Sequence, residues 1–150
     1  MILLEANHGV RRHEVATIHS YDVVSDTSDG ISLLIQGKGG KQRLIWIDAS
    51  EIALLQAIRQ CDGWLFPGSK DGHLAPQRVG DLVSGQLGPG YTGHQLRHSF
   101  GSGAYAATRD LLGVMRAMGH TRPETTLRYI ELDTDTVRAI TRARLGLDAT

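Results

Sequence analysis

The sequence predicts an α+β fold, mainly helical, with a small antiparallel β-sheet in its N-terminal third. Three observations predict it. Two apolar, β-branched runs, ISLLIQ at 31–36 and RLIWID at 43–48, flank GKGGK. That is a hairpin pattern, with Gly37, Gly39 and Gly40 supplying the turn. Helical spacing of apolar residues dominates elsewhere, above all from 92 to 146. The length, 150 residues, is that of one domain with one core.

The elements follow in order. MILLEANH reads as a helix with Ile2, Leu3 and Leu4 as core, and Arg11 to His19 as a second. Asp22 to Gly30 is polar and turn-rich, and the hairpin comes next. Ser50 to Gln60 is a helix, with Ser50 as N-cap and Ile52, Leu54, Leu55 and Ile58 as its apolar positions. Residues 61–91 are rich in Gly and Pro and read as loops around a short helix near Gln77–Leu87. Thr92 with Gln95 makes a capping box, and Thr121 with Glu124 repeats it. Gly119 after LLGVMRAM is placed to end a helix. Asp133 or Thr134 caps a last helix that ends before Gly146 and carries Val137, Ile140 and Leu145 as a narrow apolar stripe.

Composition excludes several classes. With 41% apolar and 21% charged residues, the chain is not of the disordered type. Its single cysteine, Cys61, excludes an internal disulfide and a Cys-rich zinc site, and fits a reducing, cytoplasmic setting. No apolar run reaches the roughly 18 residues of a membrane helix, and the N-terminus has no basic stretch of the signal-peptide type. Basic and acidic residues balance at 16 each, so there is no global signal for nucleic acid. Locally the balance tips: eight arginines and no lysine lie between His94 and Arg144, against five acids. Arginine prefers forked contacts to phosphate or carboxylate, so this stretch points to an anionic partner.

On the helix from His94, Leu96, Phe100, Gly103 and Ala107 share one side, taken as the core face. His94, His98, Gly101 and Tyr105 fall opposite, with Arg97 at the edge. His94 and Arg97, three apart, can point at one anion, or simply form a solvated face. HQLRH resembles the HExxH zinc motif, but Gln95 stands where its Glu is needed. GKGGKQR lacks the Walker pattern, leaving an exposed hairpin tip whose lysine can reach a site as a general acid. Arg11 and Glu14 can form an ion pair, which can also aim the arginine at phosphate. Tyr129 is one of four tyrosines. A tyrosine hydroxyl, with a pKa of about 10, needs help to become a nucleophile. Spacing alone does not choose among Tyr129, Tyr21, Tyr91 and Tyr105.

Taken in order, five segments resemble the catalytic domain of the tyrosine recombinases, the phage integrase family. GVRRHEVATIHSYDV is similar to the first arginine box, and LIQGKGGKQRLIWI to the β-hairpin lysine box. WLFPG is similar to the segment after the intervening helix, HQLRHSFGSGAY to the H-x-x-R box, and MGHTRPETTLRYI to the G-H box with its tyrosine. The resemblance implies a catalytic set of Arg11, Lys38, His94, Arg97, His120 and Tyr129, with Tyr129 as nucleophile and Glu14 supporting Arg11. Arg12, Lys41, Arg43, Arg122 and Arg128 are expected as further DNA contacts.

It also implies site-specific DNA recombination of the phage or mobile-element type, through a 3′-phosphotyrosyl intermediate. Neither metal nor cofactor nor ATP is called for. The expected partners are double-stranded DNA and three further copies in a tetramer joined through the C-terminal helix, in a bacterial host cell. The family has a separate N-terminal core-binding domain. Some eight residues precede the first box here, so residues 1–150 are expected to be the catalytic domain alone. A type IB topoisomerase and a non-catalytic DNA-binding fragment are the rival expectations.

Overall fold

The computed structural model describes residues 1–120. Within them the chain is α+β, with six helices and one three-stranded antiparallel sheet. The order is α1 (Ile2–His8), α2 (Arg12–Ala16), β1 (Val23–Thr27), β2 (Gly30–Gln36), β3 (Gln42–Asp48), α3 (Ile52–Arg59), α4 (Pro76–Leu87), α5 (Gly93–Thr108) and α6 (Leu111–Met118). The helices expected after residue 120 lie outside the described residues.

The hairpin forms as its pattern predicts. β2 pairs β3 with Ile31 opposite Ile47, Leu33 opposite Ile45 and Ile35 opposite Arg43. Side chains alternate across a sheet, so these pairs share one face. Ile31, Leu33, Ile35, Ile45 and Ile47 are all buried there, against Leu54, Leu55 and Ile58 of α3 and the apolar residues of α1 and α2. The connection between the strands is a short 3-10 turn, Lys38–Gly40, closed by the Gly37 N–H donating to the Lys41 carbonyl. Lys38 and Lys41 are both exposed on it.

Four expectations are corrected. The polar stretch before Gly30 contains a strand, β1, which pairs antiparallel with β2. The second helix is only Arg12–Ala16, because the chain turns at Thr17 and then bridges to Trp64 through His19. Leu3 and Ile52 face outward, at 41% and 63% exposure, so the core takes one residue fewer from α1 and from α3 than their apolar spacing suggested. The N-cap of α3 is Glu51 rather than Ser50. Its carboxylate accepts from Asn7 and His8, tying α3 to the end of α1.

The core face assigned to α5 is also corrected. The buried residues of this helix are Arg97 and Gly101, while Gly103 and Ala107 are exposed. Leu96 still packs against the core. A helical wheel sends arginine outward because an unpaired charge is costly to bury. Here the guanidinium has partners inside, described next, and the helix turns toward them.

Candidate active site

Arg11 lies at the start of α2, His94 and Arg97 in the first turns of α5, and His120 just past α6. All four line one groove of about 720 Å³, together with His13, His98 and the Gln77, Asp81 and Ser84 side of α4. The fold thus joins residues 109 positions apart at one surface. Lys38, on the exposed hairpin tip, is not among the lining residues of that groove. Arg12 is exposed and lines the groove. Tyr129, Arg122 and Arg128 lie outside the described residues.

The end of α6 is built with care for its carbonyls. A helix leaves its last carbonyls without partners in the helix. Gly119 closes α6 in the left-handed region, at φ 61°, with its N–H donating to the Arg116 carbonyl and the His120 N–H to that of Met115. The next three carbonyls each take a different guanidinium. Arg43 Nε donates to Ala117 O at 2.8 Å, Arg97 Nη2 to Met118 O at 2.6 Å and Arg11 Nη2 to Gly119 O at 3.2 Å. Cations at a helix C-terminus are favoured by its dipole. Its φ is what calls for glycine here; a Cβ on residue 119 would also fall 2.9 Å from Arg43 Nη1 and push on the guanidinium that Glu14 holds.

Arg97 also donates through Nη1 to the Gly9 carbonyl, which holds α5 against the end of α1. At 6% exposure it is a buried cation whose charge is spread over backbone acceptors.

Glu14 is the hub of the cluster. Its carboxylate, 1% exposed, accepts from the Arg11 backbone N–H at 2.8 Å and from Arg11 Nη1 at 3.0 Å. It also takes a fork from Arg43, Nη1 to Oε1 at 2.8 Å and Nη2 to Oε2 at 2.7 Å. Burial pushes the carboxyl up, but Arg43 and Arg11 together outweigh burial and bring it down to about 2. Glu14 is therefore ionised throughout the neutral range and fixes both guanidiniums.

Arg43, expected as a DNA contact, is turned inward onto Glu14 and α6, with its side chain only 10% exposed. Its position on the inward face of β3, in register with Ile45 and Ile47, was the available sequence signal.

Burial, and then the charges of Arg97, Arg11 and Arg43, lower the pKa of His120 to about 4. It is a neutral imidazole at pH 7, able to donate one hydrogen bond to an anion. An anion bound in the groove would weaken the repulsion from these guanidiniums and favour the imidazolium. Among the described residues no three His, Cys, Asp or Glu side chains are grouped to hold a metal ion, and no helix is long and apolar enough to cross a membrane.

Glu5 also lines the groove and was not anticipated. It is buried beside the first turn of α5, where a Cβ at Gly93 would overlap its Oε2. That oxygen has no hydrogen-bond partner. Burial raises the carboxyl's pKa, so ionised Glu5 opposes folding at neutral pH. Glu5→Leu is expected to raise the unfolding free energy at pH 7 by about 1–3 kcal/mol, measured by urea titration. The gain shrinks below pH 4.5, where the carboxyl is protonated in both states. A loss of stability at pH 7 would contradict this account of Glu5.

Comparison with known proteins agrees with the geometry. The model of the phage integrase family matches residues 1–135. The tyrosine recombinase XerC of Xanthomonas axonopodis pv. citri (strain 306) is 31% identical over 139 residues, covering 83% of this chain and 43% of the relative. The XerC of Methylobacterium sp. (strain 4-46) is 36% identical over 114 residues, covering 68% and 36%. The integrase from mycobacterium phage Brujita superposes with TM-score 0.67 at 27% identity, over 99% of this chain and 51% of that one. The site-specific recombinase XerH, bound to its difH substrate before cleavage, shares the fold with TM-score 0.76 at 24% identity, over 94% and 45%. The chain spans less than half the length of the curated relatives it matches.

Proposed function

This chain belongs to the phage integrase family, and from that premise we propose that residues 1–150 act as the catalytic domain of a site-specific DNA recombinase. One observation carries the reading: Arg11, His94, Arg97 and His120 line a single groove, with the arginines held by Glu14 and by backbone carbonyls.

The substrate is a phosphodiester of duplex DNA. Tyr129 Oη forms the new bond to phosphorus, and its proton passes to His94. Arg11 and Arg97 hold the non-bridging oxygens as charge builds on them, and His120 adds a further donor. The bond from phosphorus to the 5′-oxygen breaks, and Lys38 supplies the proton that oxygen needs. For this the hairpin tip moves its lysine to the groove. The product is a 3′-phosphotyrosine and a free 5′-hydroxyl, whose attack on the phosphotyrosine of an exchanged strand reverses the steps. The bond energy is kept throughout, so the cycle as written draws on no nucleotide. The arginines do the neutralising that a metal does elsewhere. Strand exchange is completed in a tetramer joined through the C-terminal segment. With a neutral overall charge, DNA binding by this domain is weak and strongly salt-dependent.

The test is a covalent trap. The protein is mixed at low salt with labelled, nicked duplexes of randomised sequence and run on a denaturing gel, beside Tyr129→Phe. A shifted band is expected with the wild type and none with Tyr129→Phe, whose DNA binding stays within about twofold. A band that persists in Tyr129→Phe contradicts the assigned nucleophile. No band with the wild type contradicts strand cleavage by this chain.

A further inference from the structure

We propose that Arg43 is a positioning residue that locks the base of the Lys38 hairpin, the Arg11 carboxylate partner and the His120 end of α6 into one unit, from which the lysine tip swings. Its part in the chemistry rests on the function proposed above. Its part in the architecture does not.

Arg43 is the second residue of β3, five positions beyond Lys38. Its guanidinium reaches two other elements at once. The fork of Nη1 and Nη2 closes on both oxygens of Glu14, beside Arg11 at the start of α2. Nε donates to Ala117 O, three residues before His120. Three of its five N–H groups are thus committed to the protein, and its fork faces a carboxylate rather than the groove. Arg43 is also absent from the groove lining that contains Arg11, His94, Arg97 and His120.

The chemistry of the guanidinium makes the role specific. A planar fork can bridge a carboxylate with two bonds while its third edge serves a carbonyl. A lysine ammonium has one nitrogen and cannot span Glu14 Oε1, Glu14 Oε2 and Ala117 O together. Without Arg43, Glu14 keeps only Arg11, the Ala117 carbonyl loses its partner, and the hairpin loses its tie to α6. The strand from which the lysine tip swings and the phosphate donor after α6 then drift relative to each other. A misplacement of about 1 Å in such a site can cost on the order of 100-fold in rate.

The test uses the whole chain with Arg43→Met and Arg43→Lys. Far-UV circular dichroism checks the fold. Fluorescence anisotropy reads binding to a randomised duplex, the nicked-duplex trap reads adduct formation, and NMR reads the pH titration of the His120 ring. That ring faces Arg11, Arg43 and Arg97 and shares the groove with His13, His94, His98, Glu5 and Asp81.

For Arg43→Met we expect binding within about twofold of wild type and adduct formation slowed about 10- to 100-fold. The His120 titration should move up from about 4. Arg43→Lys should recover less than half of the lost rate on a logarithmic scale. Should Arg43→Met fail to fold, Arg43→Lys carries the same comparison. The proposal is overturned by a folded variant whose adduct rate and His120 titration match wild type. It is equally overturned if binding is lost together with about one unit of salt slope, the sign of a direct phosphate contact. If the wild type forms no adduct, the proposed function fails, and the His120 titration alone decides for or against Arg43.

Discussion

Glu14→Ala is expected to cost about 3–5 kcal/mol of folding free energy, because it leaves the Arg11 and Arg43 guanidiniums without their buried carboxylate. Domains of this size are stable by about 5–15 kcal/mol, so the variant stands near the edge of folding. Urea unfolding at pH 7 measures the loss directly. The acid limb supplies a second signature. The native carboxyl sits at about 2 against an ordinary 4.5, so the unfolded chain binds the proton more readily. The stabilisation is complete above pH 4.5 and is lost as pH falls toward 2. In Glu14→Ala that part of the curve flattens. A loss below about 1 kcal/mol, the range of exposed ion pairs, together with an unchanged acid limb, would contradict the hub role.

Arg97→Met carries the largest expected effect on chemistry. On the proposed function it removes a charged donor to the developing phosphate charge, which typically costs about 10²- to 10³-fold in rate. It also leaves the carbonyls of Gly9 and Met118 without the guanidinium that holds them. Buried unsatisfied carbonyls cost about 1–3 kcal/mol each, so stability falls as well. The two losses are separated by measuring single-turnover adduct formation on protein shown to be folded at the assay temperature. A folded Arg97→Met that forms adduct within tenfold of wild type would remove Arg97 from the catalytic set.

Much of this architecture is legible in the sequence, and the reasons differ by element. The hairpin declares itself because two β-branched runs flank a glycine turn, and both runs alternate onto the same buried face. The start of α5 is legible because Thr92 and Gln95 are local partners, and the Thr92 N–H indeed donates to Gln95 Oε1. β1 is not legible. It is an edge strand whose residues beyond Val23 are exposed, so no apolar alternation marks it. The buried face of α5 is misread for a physical reason: hydrophobic periodicity cannot foresee that Gly9 and Met118 would supply carbonyls to Arg97 from 88 and 21 residues away.

The site shows the same division. The motifs, which concern residue types at short spacing, single out Arg11, His94, Arg97 and His120, and the fold brings these four to one groove. The inward turn of Arg43 depends on Glu14 and Ala117, at separations of 29 and 74 residues. Its only local trace is a period of two with Ile45 and Ile47. Glu5 leaves no trace, since a carboxylate on α1 reads as solvated until α5 is packed over it.

The most direct measurement of the central claim is the site of covalent attachment. Adduct trapped on nicked duplex is digested with nuclease and protease, and the nucleotide-bearing peptide is sequenced by mass spectrometry. The account predicts a single modified residue, Tyr129, carrying a 3′-linked nucleotide. A nucleotide on Tyr21, Tyr91 or Tyr105, or on any serine, would contradict it.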